Sequence, residues 1–217
     1  MLRSSAPGLV ALAILAGCGG AADAALVASA PSRVEPTGAV ERYTLTPVEV
    51  QLEAEVSAGA SQTLRFGKTT GTLVLSPTRP EASTLELEVE MATATSSVAA
   101  VADIAKARFL HVEKHPTAAM ATRSVRRAPA ESEQGYLLYA DFTLHGTTRT
   151  IAVPADITID ACRARMTCAF TIHRSDFGVI DDGNLEALVS DDVEIRVTVD
   201  VPRTSAPAAC AGRPRPE

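Results

Sequence analysis

The chain has 217 residues, enough to bury one sizeable core with tails to spare. Lys and Arg number 20 against 26 Asp and Glu, a formal net charge of −6 with a pI near 5.3; that balance argues against nucleic acid as a partner, because phosphate binding needs a basic patch. Apolar residues make up 46% but aromatics only 4%, with no Trp, so an interior lined mainly by aliphatic side chains is expected.

Met1-Leu2-Arg3 gives a short positive start, and the apolar run from Gly8 to Cys18 that follows is too short to span a bilayer. Together they have the anatomy of a secretory signal. The run ends in Leu15-Ala16-Gly17-Cys18, which resembles a bacterial lipobox. That match implies removal of residues 1–17 and acylation of Cys18; the plainer alternative is an ordinary signal with a chance cysteine. Several acyl chains, at about 0.8 kcal/mol per buried CH₂, hold a protein stably where one binds marginally. The expectation is a lipid-anchored, periplasm-facing protein of the cell envelope, on either the inner or the outer membrane.

Residues 18–40 read as a flexible tether of small residues with prolines at 31 and 36, and 202–217 as a disordered tail. With Cys18 acylated, Cys162, Cys168 and Cys210 remain in an oxidising compartment. A Cys162–Cys168 bridge across a hairpin tip is the preferred pairing. Three free thiols, or a bridge from Cys210 to one of the pair, stay open.

Between 41 and 201 lies one compact region that alternates with period two, the pattern of half-buried strands. In STLELEVEM, Leu85, Leu87, Val89 and Met91 share one face and three glutamates the other. YLLYADFTL groups Leu138 and Phe142 with Tyr136, Ala140 and Leu144; MTCAFTI groups Phe170 with Met166, Cys168 and Ile172; DVEIRVTVD groups Ile195 and Val197 with Val193 and Val199. Further strands are expected at 42–50, 62–66, 69–76, 118–125 and 150–159, and one short helix near 98–110. The domain is therefore all-β and antiparallel, a sandwich or a barrel. Its charged outer faces exclude a porin-type barrel, whose exterior is apolar.

RFLHVEKHPT carries His111 and His115 at a spacing that would stack two imidazoles on a helix face, as in zinc proteases. Pro116 disfavours helical backbone at His115, and the order lacks the His-Glu-x-x-His placement of a general base. His145 and His173 lie in separate strand-end contexts, so no metal ligand is assigned. Asp181, Asp182, Asp191 and Asp192 lack EF-hand spacing and read as solvated loops. There is no nucleophile elbow or phosphate loop, so no catalytic residue and no cofactor are expected.

Residues 109–117, FLHVEKHPT, resemble the FLDVEKYPT signature of the YceI-like family, periplasmic lipocalin-like proteins associated with polyisoprenoid binding. DFTLHGTTR at 141–149 and HRSDFG at 173–178 are similar to the family's DLTLHGVTR and NRSDFG segments, in the same order. His111 stands where the signature has an acidic residue and His115 where it has an aromatic. The resemblance covers roughly 41–201 and implies a single lipocalin-like β-barrel of about eight strands. Within it, Gly146 is expected to shape a hairpin turn, Arg149 to neutralise Asp141, Arg174 and Asp176 to hydrogen-bond at the rim, and Phe177 to line or plug the barrel. The function implied is a non-enzymatic carrier of an isoprenoid-like or other apolar lipid. Leu85, Leu87, Val89, Met91, Leu138, Phe142, Phe170, Phe177, Ile195 and Val197 are its candidate ligand-lining residues. A ligand-free envelope scaffold with a filled barrel, and a metal-dependent hydrolase using His111 and His115, are the alternatives.

Overall fold

The computed structural model describes residues 22–36, 38–45, 49–56, 60–130, 132–181 and 183–210. Cys18, the signal-like run, Asp182 and residues 211–217 lie outside them. The described strands in chain order are β1 (Ala22–Asp23), β2 (Ala25–Leu26), β3 (Glu41–Leu45), β4 (Glu49–Val56), β5 (Ala60–Phe66), β6 (Thr69–Leu75), β7 (Thr84–Glu90), β8 (Ala94–Thr95), β9 (Thr117–Arg127), β10 (Tyr136–Leu144), β11 (Thr147–Ile159), β12 (Arg163–His173) and β13 (Val189–Pro202). They form one sheet in the order β3-β6-β7-β9-β10-β11-β12-β13-β4-β5-β8, with β1 and β2 attached to β12 and β11. The strand count therefore exceeds the expected eight. The stretch expected as one strand over 42–50 falls on two, β3 and β4. Between β8 and β9, α1 (Ala99–Ile104) runs into a π turn, Ala105–Phe109, where one helix was expected.

Alternation dictates how this sheet curls. Leu85, Leu87 and Val89 of β7 are buried while Glu86 and Glu88 are exposed, and β10, β12 and β13 repeat the pattern. One face of every long strand thus drains into a shared core, so the sheet rolls into a lipocalin-like half-barrel. Phe142 packs edge-on against Phe170 at 6.2 Å and against Phe177 at 5.3 Å, in the T-shaped geometry that aromatic quadrupoles favour.

β11 changes partners along its length. Thr147–Ala155 pairs with β10, whereas β12 pairs only with Asp156–Ile159. Pro154 stands just before the switch, and having no N–H it could donate nothing to a β12 ladder there. Above it the two strands separate, and the expected tether fills the gap. Ala22 and Asp23 run parallel to Phe170 and Thr171 of β12, and Ala25 and Leu26 run antiparallel to Ala152 and Ile151 of β11. Hydrogen bonds from Ala24 N–H to Thr171 O (2.8 Å) and from Val27 N–H to Thr150 O (2.9 Å) complete the strap.

The opposite end is tied shut. The disulfide joins Cys162 to Cys210, not Cys162 to Cys168. Cys168 sits six residues up β12, about 20 Å along an extended strand and far beyond disulfide reach; its thiol is buried, and burial pushes its pKa up to about 12. Arg203, at the start of the expected tail, donates to Glu41 at 2.7 Å and to Asp160 O at 2.9 Å. Ser205 and Tyr43 also donate to Glu41. The Arg203 guanidinium, with help from these hydroxyls, overcomes burial and holds the Glu41 pKa at about 2.

Candidate ligand cavity

A void of about 230 Å³ at the barrel's other end lies where α1 and the loop after β12 cover the sheet. Val101, Ile104 and Ala105 line one side, Leu64, Leu144, Ile172 and Val193 the strand side, and Val179, Leu185, Leu188 and Val189 the loop side; Phe109 and Leu110 close the base of the helix. Gln62 and Arg174 are the polar side chains in this wall. Two smaller voids, about 50 and 30 Å³, lie within the packed interior.

Two arginines fix the covering loop. Arg174 is buried, yet every donor direction is answered: it donates to the carbonyls of Ser190, Val179, Val189 and Glu186 and to the Glu186 carboxylate at 2.8 Å. Phe109 stacks under it, its centroid 5.5 Å from the guanidinium carbon. Arg108 grips Asp181 with two hydrogen bonds, 2.7 and 3.0 Å, joining the π turn to the same loop. Asp181 is buried, not solvated as its sequence context suggested. Burial opposes its charge, but the Leu185 amide, Arg108 and the Gly183 amide outweigh it and keep its pKa below the ordinary value. The Arg174 contact likewise lowers the pKa of Glu186. Around this end Val98, Ile104, Ile180 and Leu188 are each at least 43% exposed, an apolar rim beside the cavity.

All ten expected lining residues are buried, but they do not line this cavity. Leu87, Val89, Met91, Phe142, Phe170, Ile195 and Val197 surround the 50 Å³ void, and Leu85 and Leu138 the 30 Å³ one. Phe177 is packed against Phe142 as a plug. Of the strands that carry the expected residues, β10, β12 and β13 reach the cavity through Leu144, Ile172 and Val193; β7 contributes nothing to it, and β5 adds Leu64. The signal missed was the run Val179–Ile180 with Leu185 and Leu188, apolar residues in a loop where solvated aspartates were expected.

The turn residues of the family-like segments act structurally. His145 and Gly146, at φ +52° and +76°, form the two-residue turn between β10 and β11. Arg149 does not neutralise Asp141; it donates to the Asp176 carbonyl, while Arg123 and Thr150 hold Asp141. Gly178, at φ +69°, ends the turn that carries Phe177. Asp191 and Asp192 are engaged by Ser175 and His173.

The hairpin tip also gathers histidines that the sequence kept apart. His111 ends the helical segment at φ +44°, and its Nδ1 lies 2.9 Å from His145 Nε2. The His115 ring stands 4.0 Å from that of His145, centroid to centroid. His111 and His115 do not stack on a helix, as Pro116 implied; His145 joins them across the fold. His173 lies elsewhere, against Asp192.

A curled antiparallel sheet with an apolar cavity under a helical cap defines a lipocalin-like protein. The YceI-like domain family matches residues 43–201, and this chain belongs to that family. Among solved structures, Burkholderia cenocepacia BcnA superposes with a TM-score of 0.63 at 18% identity, covering 71% of this chain and 96% of its own. A polyisoprenoid binding domain from Saccharophagus degradans, implicated in plant cell wall breakdown, gives 0.54 at 14% identity, with 74% and 96% covered. The Campylobacter jejuni YceI protein gives 0.52 at 16% identity, with 64% and 83% covered. No curated protein matches this chain.

Proposed function

We propose that this protein binds one apolar amphiphile, an isoprenoid-like lipid or similar chain, in the cavity beneath α1. The observation that carries this reading is a 230 Å³ void walled almost wholly by aliphatic side chains. An engineered apolar cavity of about 150 Å³ takes benzene, so this one suits roughly two isoprene units. Each buried methylene contributes about 0.8 kcal/mol toward the cost of association. The Phe142–Phe170–Phe177 group stops deeper entry, so the rest of a longer chain runs out over Ile104, Ile180 and Leu188. The polyisoprenoid binding domain from Saccharophagus degradans has the same fold, which supports the ligand class.

The binding is non-enzymatic, and the protein faces the periplasm on a lipid anchor at Cys18. The lipobox-like Leu15–Cys18 supports the anchor. Ala22, held in the strap, follows Cys18 by four residues, so an anchor at Cys18 would lie within about 14 Å of it at full chain extension. Native mass spectrometry of gently extracted protein tests the reading. One lipid per chain is expected, displaced by added isoprenoid alcohol; repeated recovery of bare protein that takes up none would refute it.

A further inference from the structure

We propose that His111, His115 and His145 form a binding site for a borderline divalent metal ion of the zinc or copper(II) type, held by imidazole nitrogens alone. This site is independent of the lipid cavity.

His145 is prepared for the role. The Phe177 carbonyl accepts a hydrogen bond from it, and the ring's Nε2 faces His111, which leaves Nδ1 as the donor. That fixes the tautomer with a lone pair on Nε2, the outer-shell arrangement usual for ligating histidines. The His111 and His115 rings converge on that edge of His145, with ring centroids 5.2 and 4.0 Å from its own. His111 Nδ1 is already 2.9 Å away. Tetrahedral zinc with bonds of 2.0–2.1 Å sets its nitrogens about 3.3–3.4 Å apart, so the pair has only to open by about half an ångström. The His111 tautomer protonated on Nε2 presents a free Nδ1 lone pair to the ion.

His115 supplies the third ring. As they stand, no three His, Cys, Asp or Glu side chains among the described residues are arranged to hold an ion, so His115 must turn about its side-chain bonds. Gly146 lets the ring lie this close to the turn, since a Cβ there would sit 3.0 Å from His115 Nδ1. All three rings are half-buried and reachable from solvent, so a fourth position stays open to water. Imidazole donors without thiolate or carboxylate suit zinc, copper or nickel over calcium or magnesium. Lys114 opposes a cation, but its ammonium is exposed and screened.

The test titrates Zn²⁺ alone into chelator-stripped full chain by calorimetry at pH 7.5. One site with Kd below about 100 µM is expected. H111N and H145N keep residues that tolerate the left-handed backbone; each should weaken binding at least ~100-fold, and H115N about tenfold. H173N should change nothing. Absence of binding, or equal binding by H111N and H145N, overturns the site; equal binding by H115N overturns the three-ring assignment. Should a variant fail to fold, ¹⁵N spectra of the wild-type imidazoles decide. Zinc must shift His111 Nδ1 and His145 Nε2 and leave His173 unmoved, and unmoved ring signals at His111 and His145 would refute the proposal.

Discussion

The two ends of the half-barrel solve opposite problems. At the closed end the sheet is sealed by the Cys162–Cys210 bridge and by Arg203 on Glu41, and the adjacent interior void is about 30 Å³. At the open end a short helix and an irregular loop cover a void of about 230 Å³, and arginines rather than interlocked apolar side chains hold the cover. Covalent and ionic fastening at one end leaves the other free to keep unfilled space, which a uniformly packed barrel of this size would not.

The largest effect expected from breaking this contrast is at the packed centre. Phe170 is fully buried and edge-on to Phe142. Phe170→Ala should cost about 3–5 kcal/mol in urea unfolding. A loss under about 1 kcal/mol would mean that the centre is loosely packed and the contrast is wrong. Next comes the cover. Arg174→Met keeps the stem but strands Glu186 and the carbonyls that the guanidinium satisfied. The Glu186 side chain is 40% exposed and can turn to water, but the several carbonyls left without their donor cost about 3 kcal/mol together. Hydrogen exchange should then rise first over 179–189, and exchange that rises evenly over the sheet would show that the loop is not a separate cover.

Acid should attack the closed end. Glu41 has a folded pKa of about 2 against an ordinary 4.5. A depressed carboxylate contributes stability that is complete above the unfolded pKa and is lost as pH falls from about 4.5 toward 2. The shift corresponds to about 3 kcal/mol. Urea midpoints measured from pH 5 to 2 should fall less steeply in Glu41→Gln than in the parent. Identical slopes would place the acid sensitivity elsewhere.

The parts legible in the sequence were those governed by local periodicity. Leu85, Leu87 and Val89 face inward because alternation leaves no other choice, and the family segments at 109–117, 141–149 and 173–178 fall at the helix end, the β10–β11 turn and the turn after β12. What escaped depends on contacts distant in the chain. The strap at Ala22–Val27 forms only because β11 and β12 part above Pro154, which composition cannot reveal. Cys162 pairs with Cys210 because Arg203 and its neighbours return the tail to the hairpin. His145 meets His111 through a turn 34 residues away. The cavity was missed for a related reason: inward-facing describes filled and lining positions alike, and only volume separates them.

The smallest stability effect should accompany the largest loss of binding. Ala105 stands in the π turn with its methyl at the cavity wall. Overpacking a tight core costs about 1–3 kcal/mol, but a phenyl ring at 105 enters space that is already open. Ala105→Phe should therefore unfold within about 1 kcal/mol of the parent, the buried ring offsetting its own ordering. The same ring occupies the volume that a lipid chain needs, so co-purifying lipid and uptake of isoprenoid alcohol should both fall at least tenfold, about 1.4 kcal/mol or more in affinity. A strongly destabilised variant would show that the void closes in solution, whereas a stable variant that still carries lipid would move the binding site away from α1 and toward the strap between β11 and β12.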